Sequence, residues 1–302
     1  MRGIFGNGFA RKMRWFVHLV GVAGFLVLGN GCSMQRLATG SMVPIMEASL
    51  AEAYCSRDIE TAREAIPGQL LLLRGLCRSA PDREELWTGA VQLYGSYAMI
   101  FVEERDPARA ARLYREGWDL GRRFLMRRDW FAAAWERGPD ALAAELAERR
   151  PKDLSPLLMW TAACLAPHIL AHLDEPAILA DLPYAHVLAD AAIAMTPEYF
   201  HGMPYVLKAI MLAKTPPMLG GDLETSQRLF EAAFGVTGGR FLYHRVLYAR
   251  YYCVAALDQR AFVTALEDVL AAPEDIFPEA RLINRIAQEE AASLIEDQDY
   301  FF

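Results

Sequence analysis

The sequence lacks the patterns that a β-sheet, a disulfide scaffold or a redox site would need. Beyond residue 45, no stretch shows the alternation of apolar and polar residues that predicts half-buried strands. The chain has five cysteines at wide spacings and no C-x-x-C pair, so metal and thiol redox chemistry receive little support. We expect the four cysteines that follow residue 32 to be buried free thiols: Cys55, Cys77, Cys164 and Cys253.

Motifs of nucleotide binding and nucleophilic catalysis are also missing. The chain has no G-x-x-x-x-G-K phosphate loop and no dinucleotide glycine pattern after a strand. Ser96 lies between Gly95 and Tyr97, without the G-x-S-x-G elbow or the strand that precedes it. We therefore predict that the protein is not an enzyme and has no cofactor.

The composition indicates a folded, acidic body. Hydrophobic residues make up 54% of the 302 residues, which is enough for a large core and excludes a disordered or collagen-like chain. Residues 1–31 hold four of the 31 basic groups and none of the 38 acidic groups, so the remaining 271 residues carry a net charge of −11. An acidic body argues against nonspecific nucleic-acid binding, because phosphates need a basic face.

The first 31 residues resemble an export signal. After a basic start comes the apolar run Trp15–Leu28, whose 14 residues are too few for a comfortable membrane span and typical of a signal-peptide core. The small Gly31 before Cys32 resembles a bacterial lipobox, although Leu28 lies four positions before the cysteine instead of three. We predict a lipoprotein-type signal peptide over 1–31, lipidation of Cys32 and a tether over 32–45; an ordinary signal peptide or short anchor is the alternative.

The mature chain is helical in pattern almost throughout, and we predict an all-α fold of about ten to twelve helices. Apolar residues from Leu86 to Phe101 recur at spacings of three and four, which gives one apolar stripe. Three pairs predict an N-cap followed by proline at the first helical position: Asp106-Pro107, Ser155-Pro156 and Thr196-Pro197. Asp82 with Glu85 predicts a capping box, and Asp222 is predicted to cap the helix after Gly220-Gly221. No long linker divides residues 46–302, so we expect one domain.

The helices show an uneven, tetratricopeptide-like repeat. Residues 87–94 (W-x-x-A-V-x-x-Y) match the first half of such a unit loosely, and residues 110–117 (A-x-x-x-Y-x-x-G) match the second half. Residues 185–197 and 226–233 repeat the second half. Small residues let paired helices approach while the aromatic fills the groove. The pattern favours a tetratricopeptide-like array of helical hairpins, an α-α superhelix, over an ordinary helical bundle, which remains the alternative.

With these features the chain resembles the T-component proteins of tripartite ATP-independent periplasmic (TRAP) transporters. The resemblance extends from about residue 55 to the C-terminus, and the order and spacing of four stretches carry it: Tyr94–Tyr114, Pro216–Asp222, Thr237–Leu242 and Val246–Tyr252. It implies a tetratricopeptide-like lipoprotein, anchored by its lipid on the periplasmic side of a bacterial membrane. Because Ser33, which is not acidic, follows Cys32, the outer membrane is favoured.

The resemblance also implies partners. A T-component is expected to pair with the transporter's periplasmic substrate-binding component and to hold a hydrophobic small molecule in a cavity between helices. Self-association into a homo-oligomer is compatible with the family, although the sequence identifies no interface. The alternative is a tetratricopeptide scaffold for protein–protein interaction in the envelope, with no small-molecule site.

Two sets of side chains are candidates for a site. His168 and His172, four apart on a predicted helix, share a face that zinc ligands would need, but the glutamate of H-E-x-x-H is missing. Histidines near a helix C-terminus also interact favourably with the helix dipole, and we predict no metal site there. The many aromatic residues on the predicted helices suggest an apolar pocket. We predict four ligand-binding residues: Tyr94, Tyr97, Phe101 and Trp160. Such aromatics also serve as plain core packing.

Overall fold

A computed structural model describes residues 44–46 and 48–302. The predicted signal peptide, Cys32 and most of the predicted tether lie outside the described residues. The described part of the chain has no β-strand, and thirteen α-helices follow residue 58, which confirms the all-α helical array. The helices are α1 (Ile59–Ser79), α2 (Glu84–Tyr97), α3 (Pro107–Leu125), α4 (Asp129–Arg137), α5 (Pro139–Arg149), α6 (Ser155–Leu170), α7 (Pro176–Leu179), α8 (Leu182–Met195), α9 (Met203–Lys214), α10 (Leu223–Thr237), α11 (Tyr243–Leu247), α12 (Gln259–Ala271) and α13 (Arg281–Glu296).

Most helices pack against the next helix along the chain. The pairs α1–α2, α2–α3, α4–α5, α8–α9, α9–α10 and α12–α13 form hairpins, and residues 48–55 are also helical before α1. Helix α6 contacts α2, α3, α8 and α9 and therefore lies among four neighbours. One contiguous cluster of buried apolar side chains extends from Ile59 to Leu294.

Four of the helix starts show which capping predictions hold. Asp106 accepts a hydrogen bond from the backbone N–H of Arg109, and Asp222 does the same for Thr225, as predicted. The prediction for Ser155 and Thr196 is wrong. Neither side chain caps a helix, because the two hydroxyls lie 2.6 Å apart and bond to each other, which joins the start of α6 to the end of α8.

The predicted capping box before α2 is also wrong. The helix begins at Glu84 with Arg83 at the N-cap position and no side-chain cap bond. Asp82 instead accepts a hydrogen bond from Arg127 at 2.6 Å. The ion pair links the loop before α2 to the end of α3, so a tertiary contact has replaced the local one.

Two helices change to π-helical geometry. Helix α2 continues as π1 (Ala98–Val102), and α11 continues as π2 (Tyr248–Cys253). A π-helix inserts an extra residue into the turn and so rotates the side chains that follow, and such insertions are frequent at functional sites. Both segments lie next to the cavity described below.

One stretch of the described residues is long and apolar enough to cross a membrane. Pro176–Met195 has 20 residues and a mean hydropathy of 1.3. It comprises α7 and α8, and α8 packs against α6 and α9 with Leu182 and Leu188 buried. A third of its most apolar window is buried in the protein.

Helices α3 and α6 approach so closely that only glycine fits on α3. A Cβ atom added at Gly117 would lie 2.6 Å from the Sγ of Cys164. One added at Gly121 would lie 2.9 Å from the Cγ2 and 3.0 Å from the Cβ of Thr161. Contacts this short force a shift of the packed helices, and overpacking of this kind costs about 1–3 kcal/mol.

We predict that Gly121→Ala lowers the free energy of unfolding by about 1–2 kcal/mol, measured by urea denaturation of the mature chain. The gain in helix propensity, at most about 1 kcal/mol, offsets only part of the clash. Gly75→Ala is the matched control, because a Cβ at Gly75 meets no atom within 4 Å, and it should stabilise by about 0.5–1 kcal/mol. Adding Thr161→Ala to Gly121→Ala should recover part of the loss. Equal stabilisation by the two glycine replacements would contradict the close helix contact.

Candidate functional site

A cavity of about 150 Å³ lies where α2, π1, α3, α6, α9 and π2 meet. Most of its lining is apolar, and α6 and α9 supply the larger share. The lining residues are Gly95, Met99, Glu103, Tyr114, Trp160, Ala163, Ala166, Pro167, Leu170, Ala171, Met203, Leu207, Ile210, Lys214 and Tyr251. An apolar cavity with a few convergent polar groups is the usual form of a small-molecule site.

The indole of Trp160 forms a fixed wall of this cavity. Trp160 is buried, and its Nε1–H donates to the hydroxyl of Tyr199 at 3.2 Å, which in turn donates to the side-chain oxygen of Gln92 at 3.1 Å. A Cβ at Gly95 would lie 3.2 Å from the indole, so the glycine lets the ring lie close against α2. The hydrogen bonds fix the orientation of the ring.

The polar groups of the cavity are collected around Glu103. The hydroxyl of Tyr114 donates to one carboxylate oxygen at 2.5 Å, and that of Tyr251 donates to the other at 3.5 Å. Burial, with the adjacent Glu103 charge, raises the pKa of Tyr114 well above its ordinary value, so this hydroxyl keeps its proton and remains a donor. The Nζ atom of Lys214 lies 5.2 Å from the centre of the Tyr251 ring, a cation–π arrangement.

Of the four predicted ligand-binding residues, the structure places Trp160 in the wall of this cavity, and the other three face elsewhere. The Tyr94 hydroxyl accepts a hydrogen bond from Arg74, and that of Tyr97 accepts one from Arg109. Phe101 packs against Tyr97 with ring centres 5.7 Å apart and lines a different depression. The aromatic stripe of α2 and π1 is therefore mainly buried against protein.

The face of α2 and π1 that lines the cavity carries Gly95, Met99 and Glu103, spaced by four. The sequence analysis predicted the neighbouring aromatic residues and not this stripe, which combines a small, a flexible and a charged residue. Its regular spacing is the sequence signal that would have identified it. Sequence reasoning also missed other lining residues, among them Lys214 at the end of α9 and Met203 at its start, which come from a distant part of the chain.

A buried ionic network adjoins the cavity. The guanidinium of Arg250, on π2, contacts Glu104 and lies 3.4 Å from a carboxylate oxygen of Glu290 on α13. Burial raises the pKa of Glu290 to about 7, and the neighbouring Arg250 offsets part of this effect. Arg250 and Glu290 are largely buried, whereas Glu104 is partly exposed. The network connects the residues after π1 to π2 and α13, so it constrains the backbone next to the cavity.

The candidate metal ligands do not form a cluster. Among the described residues, no group of three or more histidine, cysteine, aspartate or glutamate side chains is placed to hold a metal ion. The Nδ1 atom of His172 instead lies 2.7 Å from the backbone oxygen of His168. The four described cysteines are free thiols, as predicted, but only Cys77, Cys164 and Cys253 are buried; Cys55 is half-buried, contrary to the prediction.

Comparison with known proteins identifies a family for this chain. Residues 56–302 match the family described as TRAP transporter T-component. No curated protein matches the chain. The match covers all thirteen helices, including every residue that lines the cavity.

We predict that Tyr114→Phe lowers the free energy of unfolding by about 1–3 kcal/mol, because the partly buried carboxylate of Glu103 loses its closest hydrogen-bond donor. Tyr97→Phe is the matched control. It also removes one hydroxyl from a buried ring, but the partner, Arg109, is exposed, so we expect a change within about 0.5 kcal/mol. Urea denaturation of both variants measures the difference. Equal losses, or no loss with Tyr114→Phe, would show that the Glu103 contact contributes nothing.

Proposed function

The chain belongs to the TRAP transporter T-component family, and we propose that it is a non-enzymatic, membrane-anchored accessory of such a transporter. In this proposal it binds the periplasmic substrate-binding component and holds a small apolar organic molecule in the cavity beside Trp160. The family match supports the transporter role. The cavity supports the ligand.

The observation that carries the ligand part is the size and lining of the cavity. A cavity of about 150 Å³ in an apolar setting is large enough for a benzene-sized molecule. Burial of apolar ligand surface against Trp160, Leu207 and Ile210 would supply the binding energy, at roughly 25 cal/mol per Å². The cavity opens to the surface beside the exposed Lys214, so a ligand has a route of entry.

A scaffold without a ligand is the second candidate. A broader groove of about 700 Å³ lies between the helical segment before α1, α2 and the start of α6. Its lining mixes the apolar Leu50 with the charged Glu84, Lys152 and Asp153, as a surface that binds an extended peptide does. Helical hairpin arrays commonly use concave faces in this way.

Association with the binding component is the first test. We expect immobilised mature protein to retain the substrate-binding component of the same transporter, and to release it when both are unfolded. An unrelated lipoprotein of similar charge serves as the control surface. Failure to associate, with both proteins folded by circular dichroism, would remove the partner part of the proposal.

Native mass spectrometry of the same preparation separates the two candidates. A retained small molecule that is lost in Ala163→Phe, which fills the cavity, favours the ligand-binding function. Ala144→Phe is the control, because Ala144 is exposed on α5 and lies outside the cavity lining. An empty protein, with peptide binding in the groove that contains Glu84, favours the scaffold.

The location is proposed from the first residues of the chain. We place the mature protein in the periplasm, anchored by lipid on Cys32 to the outer membrane. We predict that Cys32→Ala abolishes incorporation of labelled palmitate and moves the protein from the membrane fraction to the soluble fraction. Complete release is expected because the lipid on Cys32 is the proposed attachment to the membrane. Unchanged labelling of the variant would contradict lipidation at this residue.

A further inference from the structure

The cavity contains two opposite charges that the apolar-ligand function does not use. Glu103 and Lys214 are the charged residues in its lining, and both contact Tyr251. Glu103 meets the tyrosine hydroxyl, whereas Lys214 lies over the ring. The two charges are therefore gathered at one side of an otherwise apolar space.

The Glu103 carboxylate is held in place and still has capacity to accept. A carboxylate accepts about four hydrogen bonds, and the two tyrosine hydroxyls at 2.5 and 3.5 Å use two of them. Both donors come from other elements, Tyr114 from α3 and Tyr251 from π2, so the carboxylate is fixed between them. A fixed anion beside an apolar cavity favours a ligand group that donates hydrogen bonds.

The Lys214 ammonium has the opposite preference. It is exposed at the last residue of α9, and in the part of the chain that the structure describes no carboxylate forms an ion pair with it. Its position over Tyr251 brings it to the same tyrosine that Glu103 contacts. An ammonium at this place favours a ligand group that is negatively charged.

The backbone around these charges is irregular in two independent places. Glu103 directly follows π1, and its N–H bonds to the oxygen of Ala98 in the π-helical pattern, at 2.8 Å. Tyr251 lies within π2. The two insertions thus set the direction of the carboxylate and of the ring between the charges, which an ordinary helix would direct elsewhere.

We propose that the cavity binds a zwitterionic amphiphile, namely an α-amino acid with an apolar side chain. The ammonium group of the ligand contacts Glu103, its carboxylate contacts Lys214, and its side chain enters the space beside Trp160. This inference rests on the proposed function and narrows its ligand. One carbon atom separates the two charged groups of an α-amino acid, which suits two protein charges that share one tyrosine.

The charge arrangement disfavours the simpler ligands. A carboxylate without an amine would pair with Lys214 but lie near the Glu103 anion. An amine without a carboxylate would pair with Glu103 but lie near the Lys214 cation. Like charges brought together in a place with little water are repelled more strongly than in bulk solvent. The cavity, comparable in volume to one that holds benzene, accepts a side chain such as that of leucine or phenylalanine.

Calorimetric titration of the full mature chain with three probes that share an isobutyl group tests the inference. L-leucine carries both charges, 4-methylpentanoate only the carboxylate, and isopentylamine only the ammonium. We expect leucine to bind about tenfold or more tightly than either other probe, since each loses one charge-assisted contact. Equal binding of all three probes, or no binding of leucine, overturns the inference.

Two substitutions give a reciprocal readout that a merely structural role would not produce. Glu103→Gln should weaken leucine binding about tenfold and strengthen binding of 4-methylpentanoate, because the repelling anion is removed. Lys214→Gln should weaken leucine binding and strengthen that of isopentylamine. The controls are Glu116→Gln and Lys208→Gln, which remove charges paired with Arg74 and Asp190 outside the cavity. Unchanged probe preferences in both cavity variants overturn the inference.

The result is separable from the proposed function. If 4-methylpentanoate or isopentylamine binds as tightly as leucine, and Ala163→Phe abolishes that binding, the cavity holds an apolar ligand but the head-group assignment is wrong. If no probe binds and the substrate-binding component is still retained, the accessory role stands without this ligand. Circular dichroism melting of each variant confirms that a loss of binding is not a loss of fold.

Discussion

The enclosure of α6 is the constraint on which the rest of the structure depends. Six consecutive residues of this helix, Leu157–Ala162, are buried, so over this stretch no face of the helix meets water. A helix that is apolar on all sides must be surrounded by others, and here α2, α3, α8 and α9 surround it. The surrounding helices fit only where side chains are small, which is why glycine occupies positions 117 and 121 on α3.

The cavity is a consequence of the same packing. Along the second half of α6, Ala163 and Ala166 do not fill the distance to α9, and the space remains between them and Leu207 and Ile210. Its closed end is the hydrogen-bonded Trp160, whereas its polar side is formed by groups from four different elements. Two of these groups, Glu103 and Tyr251, lie at the end of π1 and within π2, and the ion pairs of Arg250 with Glu104 and Glu290 hold this irregular backbone together. This combination of a rigid apolar space and a fixed polar edge suits a ligand that is apolar at one end.

The sequence predicts the fold of this protein more completely than its candidate site. The helix positions follow from local signals, as Asp106 and Asp222 show, because a cap bonds to the next few backbone N–H groups. The Ser155 and Thr196 predictions failed because their hydroxyls found each other across 41 positions of chain, which no local pattern reveals. In the site, Trp160 lies in the cavity wall, but the aromatic stripe of α2 packs against protein. The spacing of these rings predicts that they share one helix face, but it does not predict which residues pack against that face.

The sequence alone therefore determined the class of fold, the order and approximate bounds of its helices and the family to which the chain belongs. These depend on periodicity, capping and small-residue spacing, and all of them act over a few residues. Only the tertiary structure decided which face of each helix is enclosed, where π-geometry rotates Glu103 and Tyr251, and that Lys214 reaches the same tyrosine from α9. Side chains far apart in the chain meet there because helices pack as rigid units whose contacts are set by the shape of every neighbour at once.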